Sequence, residues 1–175
     1  MRRQKVEFYE RQLMRQWWVW VLFVGMDLLF IFGSVQQLIL GVPFGDNPMS
    51  DIGLLVTTIL FLLFSIFMLF TLRLQTYIND EGVFVRYFPF QFRYTLYDWN
   101  TITASYVRKY KPISEYGGWG IRIGMKATKA YTVSGNMGLQ LILKNGKKFL
   151  IGTNKPVDLE EVLLKLEKKE RMKDG

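Results

Sequence analysis

The 175-residue chain contains no Cys and no His. Without Cys there can be no disulfide, no thiolate metal site and no cysteine nucleophile. Without His the commonest general base and the commonest metal ligand are missing, so neither a Ser-His-Asp triad nor an HExxH zinc site can form. The remaining acids offer little chemistry: Asp80, Glu81, Asp98 and Glu115 are scattered, with no repeated pair and no metal-ligand spacing. Ser105 and Ser134 could enter a Ser/Lys dyad, but neither has a nucleophile context. The sequence therefore points to no catalytic residue, no metal and no cofactor, and to a protein that is not an enzyme.

Charge is absent from the middle of the chain. Ile52 to Leu72 has none in 21 residues, until Arg73 ends the run. Trp17 to Leu40 is also long enough and carries only Asp27. At about 1.5 Å of rise per residue, either stretch as a helix covers the ~30 Å hydrocarbon core of a bilayer. Neither shows the continuous polar stripe of a soluble core helix. They read as a transmembrane hairpin, 17–40 and 52–72, joined by the turn 41–51.

Lys and Arg are absent from that turn, which carries Asp46 and Asp51. Residues 1–16 hold five Lys or Arg against two acids, and residues 73–175 hold eighteen against ten. Loops rich in Lys and Arg stay on the cytoplasmic side. The expectation is an integral membrane protein with both termini cytoplasmic and only the turn outside. The apolar run is too long for a cleaved signal peptide, and no small-residue cleavage site follows it. The turn (GVPFGDNPMSD) has two Gly and two Pro and should be irregular, with Ser50 or Asp51 capping the second helix.

In residues 1–16, Val6, Tyr9, Leu13 and Trp17 fall at spacings of three and four, which predicts an amphipathic helical lead-in. Its Arg2, Arg3, Lys5, Arg11 and Arg15 either set topology or touch anionic headgroups. Trp17, Trp18 and Trp20 suit the inner interface. Asp27 lies ten residues beyond Trp17, about 15 Å deeper and near the bilayer midplane. A carboxylate there costs several kcal/mol unless paired or protonated. Its candidate partners on the second helix are Thr57, Thr58 and Ser65. Structural glue between helices or protomers is the first reading, and a proton or ion path the second.

After Arg73 the pattern alternates. Leu74–Ile78 and Val83–Tyr87 flank Asn79-Asp80-Glu81-Gly82, a hairpin signal. Further strands are expected at Phe92–Leu96, Thr101–Val107, Ile121–Met125, Tyr131–Ser134, Leu139–Leu143 and Lys148–Ile151, the last two joined through Asn145-Gly146. Leu159, Val162, Leu163 and Leu166 mark a closing helix that starts either at Pro156 or at the Asp158–Glu161 capping box.

Gly118-Trp119-Gly120-Ile121-Arg122, Ala130-Tyr131-Thr132-Val133-Ser134-Gly135, Asn145-Gly146-Lys147 and Leu150-Ile151-Gly152-Thr153, with Pro156 and the terminal helix, resemble the bacterial pleckstrin-homology-like domains of small membrane proteins. A two-helix hairpin precedes the domain in that family, as here. The resemblance spans roughly 74–167 and implies a protein of the bacterial cytoplasmic membrane with a seven-stranded PH-like barrel or sandwich capped by the C-terminal helix. The cytoplasmic PH-like domain is expected over 74–169, and the residues after it, 170–175, read as a basic tail. Eukaryotic relatives of that fold bind phosphoinositides or proteins, but fold alone does not assign activity.

The most site-like stretch is 108–122, where Arg108, Lys109 and Lys111 precede a Gly-rich loop with Tyr116, Trp119 and Arg122. Cations beside aromatics and glycines form recognition surfaces, here for a protein segment or acidic headgroups. The competing reading is a hairpin connection with Trp119 packed inward. Lys165, Lys168, Lys169, Arg171 and Lys173 form a second basic surface, suited to anionic lipid or simply to the C-terminal end of a helix. No nucleic-acid motif accompanies this charge. The sequence thus predicts a membrane-anchored interaction or scaffold module that binds a protein partner or assembles with itself. The alternatives are a transport-linked subunit using Asp27 and an anionic-lipid-binding module.

Overall fold

A computed structural model describes residues 6–14, 16–124 and 128–171, with side chains as far as Glu167. The chain divides into two compact units, residues 15–71 and residues 1–14 with 72–175.

The first unit is a helical hairpin. Helix α1 (Trp17–Ser34) runs into a π-helical turn over Val35–Ile39, and α2 (Asp51–Thr71) returns. Both helices are long and apolar enough to cross a membrane. Their burial is confined to one seam. On α1 it follows Val19, Phe23, Asp27, Phe30 and Ser34, and on α2 Leu54, Thr58, Phe61 and Ser65. Rings meet along it: Phe23 with Phe64 at 6.2 Å and Phe30 with Phe61 at 5.2 Å between centroids. The other faces leave large apolar side chains such as Leu22, Leu28, Leu60 and Leu63 exposed.

Side chains pin the intervening turn. Gln37 Nε2 donates to the Met49 carbonyl at 2.7 Å and to Asp51 Oδ1 at 2.8 Å, while its Oε1 accepts from the Phe44 N–H at 3.2 Å. Of the two candidate caps, Ser50 accepts the Gly53 N–H at 3.2 Å. Phe44 folds back over Gly33, where a Cβ would lie 2.7 Å from its ring, so a larger residue there would have to push the ring aside.

The second unit holds nine strands in two open sheets. One has the order β1 (Phe8–Leu13), β2 (Arg73–Ile78), β3 (Gly82–Phe88) and β4 (Thr95–Asp98), antiparallel throughout. The other combines β5 (Ile102–Lys109), β6 (Gly120–Ile123), β7 (Lys129–Thr132), β8 (Met137–Leu143) and β9 (Lys148–Gly152) in the order β5-β8-β9-β7-β6, with β7 and β9 parallel. The expected seven strands are thus nine among the described residues, and the sheets do not close into a barrel.

Residues 8–13 correct the helical lead-in. They form β1, and its register with β2 runs from Phe8 opposite Ile78 to Leu13 opposite Arg73. Alternation is visible in burial, since Phe8, Glu10 and Gln12 point inward. Two of those three are polar, so no hydrophobic alternation marks the strand. Glu10 accepts from the Thr153 hydroxyl at 2.6 Å and the Asn154 N–H at 2.7 Å, and Gln12 Nε2 donates to the Gly152 carbonyl at 2.7 Å. The apolar hairpin is therefore inserted between two paired strands.

Strand β3 follows the period-two pattern with Val83, Val85 and Tyr87 buried, and β2 buries Leu74, Thr76 and Ile78 with Gln75 buried as well. Tyr97 meets Phe149 of the other sheet at 4.6 Å. The expected strand at Phe92–Leu96 is a loop until Thr95, because the Gln91 N–H bonds back to the Tyr87 carbonyl at 2.8 Å. A short helix α3 (Pro112–Tyr116) interrupts the stretch read as loop. The last helix, α4 (Pro156–Arg171), starts at the first of its two candidate sites; Thr153 Oγ1 accepts the Lys155 N–H at 3.0 Å ahead of it. It buries Leu159 and Leu166.

Candidate functional site

On the hairpin seam, the structure selects among the partners proposed for Asp27. The Ser65 hydroxyl, itself buried, donates to Asp27 Oδ1 at 3.1 Å. Thr57 instead donates to the Gly53 carbonyl at 2.8 Å, one turn back on its own helix. Thr58 bonds the Leu54 carbonyl at 2.9 Å and pairs with Ser34 across the seam at 2.8 Å. Two polar rungs, Asp27–Ser65 and Ser34–Thr58, thus alternate with aromatic contacts. Each is made within one chain.

The loop 108–122 is assembled around its own residues. Arg108 donates to Glu115 Oε2 at 2.8 Å, to the Tyr116 hydroxyl at 3.2 Å and to Gln140 Oε1 at 3.0 Å. Glu115 Oε1 also accepts the Lys111 N–H at 2.7 Å. The Arg108 hydrogen bond holds the Glu115 carboxyl below its ordinary value. Tyr116 is buried against Tyr110 at 6.0 Å. Burial pushes the Tyr110 phenol up to about 12, so it stays a donor at ordinary pH. It donates to the Gly135 carbonyl at 3.3 Å.

Trp119 Nε1 donates to that same carbonyl at 3.0 Å, with the indole half-buried. Gly117, at φ 68°, ends α3, and the N–H groups of Gly117 and Gly118 return to Ile113 and Pro112 at 2.8 and 2.9 Å. Of the six residues proposed for recognition, Arg108 and Tyr116 are committed internally and Trp119 is tied down. Lys109, Lys111 and Arg122 remain exposed.

The second basic surface is only partly within view. Lys165 pairs with Glu7 Oε2 at 2.8 Å, which raises its pKa, and so ties α4 to the segment before β1. The side chains of Lys168, Lys169 and Arg171, and all of Lys173, lie outside the described residues, as do Arg2, Arg3, Lys5, Arg15 and Met125.

A cleft of about 480 Å³ lies between β5 and α4. Trp99, Ile102, Tyr106, Leu163 and Leu164 supply its apolar lining, and Glu160 and Glu167 line it from the helix. Strand and helix lie far apart in sequence, so no local motif announces it. The outer face of the first sheet was also missed. There Tyr77 stacks on Phe84 at 4.3 Å, and the Arg86 guanidinium sits 4.4 Å over the Tyr94 ring. The visible signal was the run Phe88-Pro89-Phe90-Gln91-Phe92-Arg93-Tyr94, which reads equally well as strand. Among the described residues, no three acidic side chains come together as a metal-binding group. Comparison with protein families, with characterised proteins and with solved structures finds no match to this chain.

Proposed function

We propose that this chain is a membrane-anchored interaction module. Helices α1 and α2 cross the bilayer, and a PH-like β domain with both termini lies on the cytoplasmic side, where it holds a partner protein. The observation that carries this reading is the insertion of the hairpin between β1 and β2. A sheet whose neighbouring strands both continue into apolar helices is tethered at two adjacent points. Such a tether keeps the sheets near the membrane surface and so raises the effective concentration of their faces for a partner there.

One concave face among the described residues is the β5–α4 cleft. Its aromatic and aliphatic lining with Glu160 and Glu167 suits an apolar protein segment flanked by Lys or Arg. A photo-crosslinking residue at Tyr106 or Leu164, exposed positions on the two walls, tests this in the native membrane. Adducts to one other protein, absent when the crosslinker replaces Asn145, are expected. Adducts to the chain itself would make the occupant a second copy. Equal labelling from Asn145 would remove the cleft from the proposal.

A further inference from the structure

Resting on the reading that α1 and α2 cross a bilayer, we infer that the loop joining β3 and β4, residues 88–94, is a second membrane contact, inserting Phe90 and Phe92 among anionic headgroups. The strand register supplies the first argument. Leu13 pairs with Arg73, and Arg73 pairs with Phe88, so three strand ends lie level at one end of the sheet. From that same end the chain leaves for the apolar helices through Met14 and Leu72, whose backbones bond at 3.0 Å. Neighbouring strands lie about 4.8 Å apart, so the loop starts one strand spacing from the chain that emerges from α2.

The second argument is presentation. Phe90 and Phe92 are 64% and 75% exposed, an unusual state for two phenylalanines two residues apart. The loop is nevertheless held. Gln91, between them, turns inward: its Oε1 accepts the Tyr87 N–H at 3.2 Å and its Nε2 donates to the Tyr131 hydroxyl at 3.5 Å. Arg86 Nη1 donates to the Phe92 carbonyl at 3.2 Å, and the Phe88 and Phe92 rings meet edge-on at 5.6 Å. The two rings are thus displayed outward by a built framework.

Charge is the third. No acid occurs from Gly82 to Tyr97, while Arg86 and Arg93 do, and Arg73 sits 4.9 Å over the Phe88 ring. The acids Asp80, Glu81 and Asp98 cluster at the opposite end, where Gly82 pairs with Asp98. The sheet is polarised along its strands, cationic and aromatic where the chain leaves for the helices and anionic at the far end. Aromatic rings flanked by Arg fit the interface of an anionic leaflet. Because the helices already tether the domain, insertion is intramolecular and needs little intrinsic affinity.

The chain has no Cys, so single-site labelling is direct. An environment-sensitive dye is placed in the full-length protein at Phe92→Cys, Glu81→Cys or Leu60→Cys, in vesicles of mixed anionic and zwitterionic lipid carrying a headgroup-region or acyl-chain quencher. The headgroup quencher is expected to act on Phe92→Cys and not on Glu81→Cys. In zwitterionic vesicles the effect at Phe92→Cys should fall at least about twofold. Quenching at Phe92→Cys no greater than at Glu81→Cys, with Leu60→Cys quenched by acyl-chain probes, would overturn this inference alone. An unquenched Leu60→Cys would overturn the membrane reading beneath it. Protection of Phe92→Cys from soluble quencher without any lipid quenching would assign the loop to a protein partner and refute the lipid contact.

Discussion

Asp27 and Glu10 are two acids in unfavourable places, and each is stabilised by a different kind of neighbour. Asp27 has the Ser65 hydroxyl across the seam. In Asp27→Asn the amide oxygen can still accept that bond, so helix pairing should hold. In Asp27→Leu the Ser65 hydroxyl can fall back on its own helix, as Thr57 and Thr58 already do, which caps the loss at about 1–2 kcal/mol. Thermal melts of the two variants in one detergent should show that order; equal, large losses would mean that charge, and not the hydrogen bond, matters. Glu10 has stronger partners, a hydroxyl and a backbone N–H just ahead of α4, whose N-terminus favours an anion. Glu10→Ala strands both donors and should cost about 2–3 kcal/mol, with Glu10→Gln intermediate. A melt of Glu10→Ala unchanged from the parent would remove β1 from the folded domain.

At the level of elements, the limits of sequence reading follow from what each element is stabilised by. The apolar helices were legible from their long uncharged runs, and the strands around Leu74, Val83 and Leu139 because burial imposes a period on their own residues. β1 was not, since two of its three inward positions are Glu10 and Gln12, whose partners lie about 140 residues away. The loop 108–122 was legible as a feature but not as a role. Glycine, arginine and aromatics serve recognition and self-closure alike, and the difference is the Arg108–Glu115–Tyr116 contact.

Self-closure makes two predictions for that loop. Trp119→Ala should destabilise by about 2–3 kcal/mol, less than for a fully buried Trp because the indole is half-exposed. The Glu115 carboxyl is held below its unfolded value, so its contribution is present at neutral pH and is lost as pH falls through the native value. From about pH 7 down to about pH 5 the melting temperature should therefore lose nothing through this pair, and Glu115→Gln should flatten part of the acid limb below that. An acid limb identical in the variant would assign the sensitivity elsewhere.

For the whole molecule, the pairing of β1 with β2 couples the sheet to the topology. Leu13 and Arg73 are register partners, so the chain leaves the sheet and returns to it one strand spacing apart. If α1 and α2 span a bilayer, that pairing forces both ends to the same face, whatever the flanking charges prefer. The charges agree, since Lys and Arg flank both ends and the turn 41–51 has none. Either constraint acting alone leaves a gap: charge bias can be outvoted by one long domain, and strand pairing does not say which face. If the helices span a bilayer, the two together predict the turn outside and the sheets inside. A thiol introduced as Asn47→Cys should react with an impermeant reagent on intact cells, and Asn145→Cys only after permeabilisation. Weakening β1 through Glu10→Ala should leave that pattern intact, because charge still orients the helices once the strand is loosened. Labelling of Asn145→Cys on intact cells would reverse the orientation, and labelling of both sites there would show that the helices do not carry the domain to the inner face.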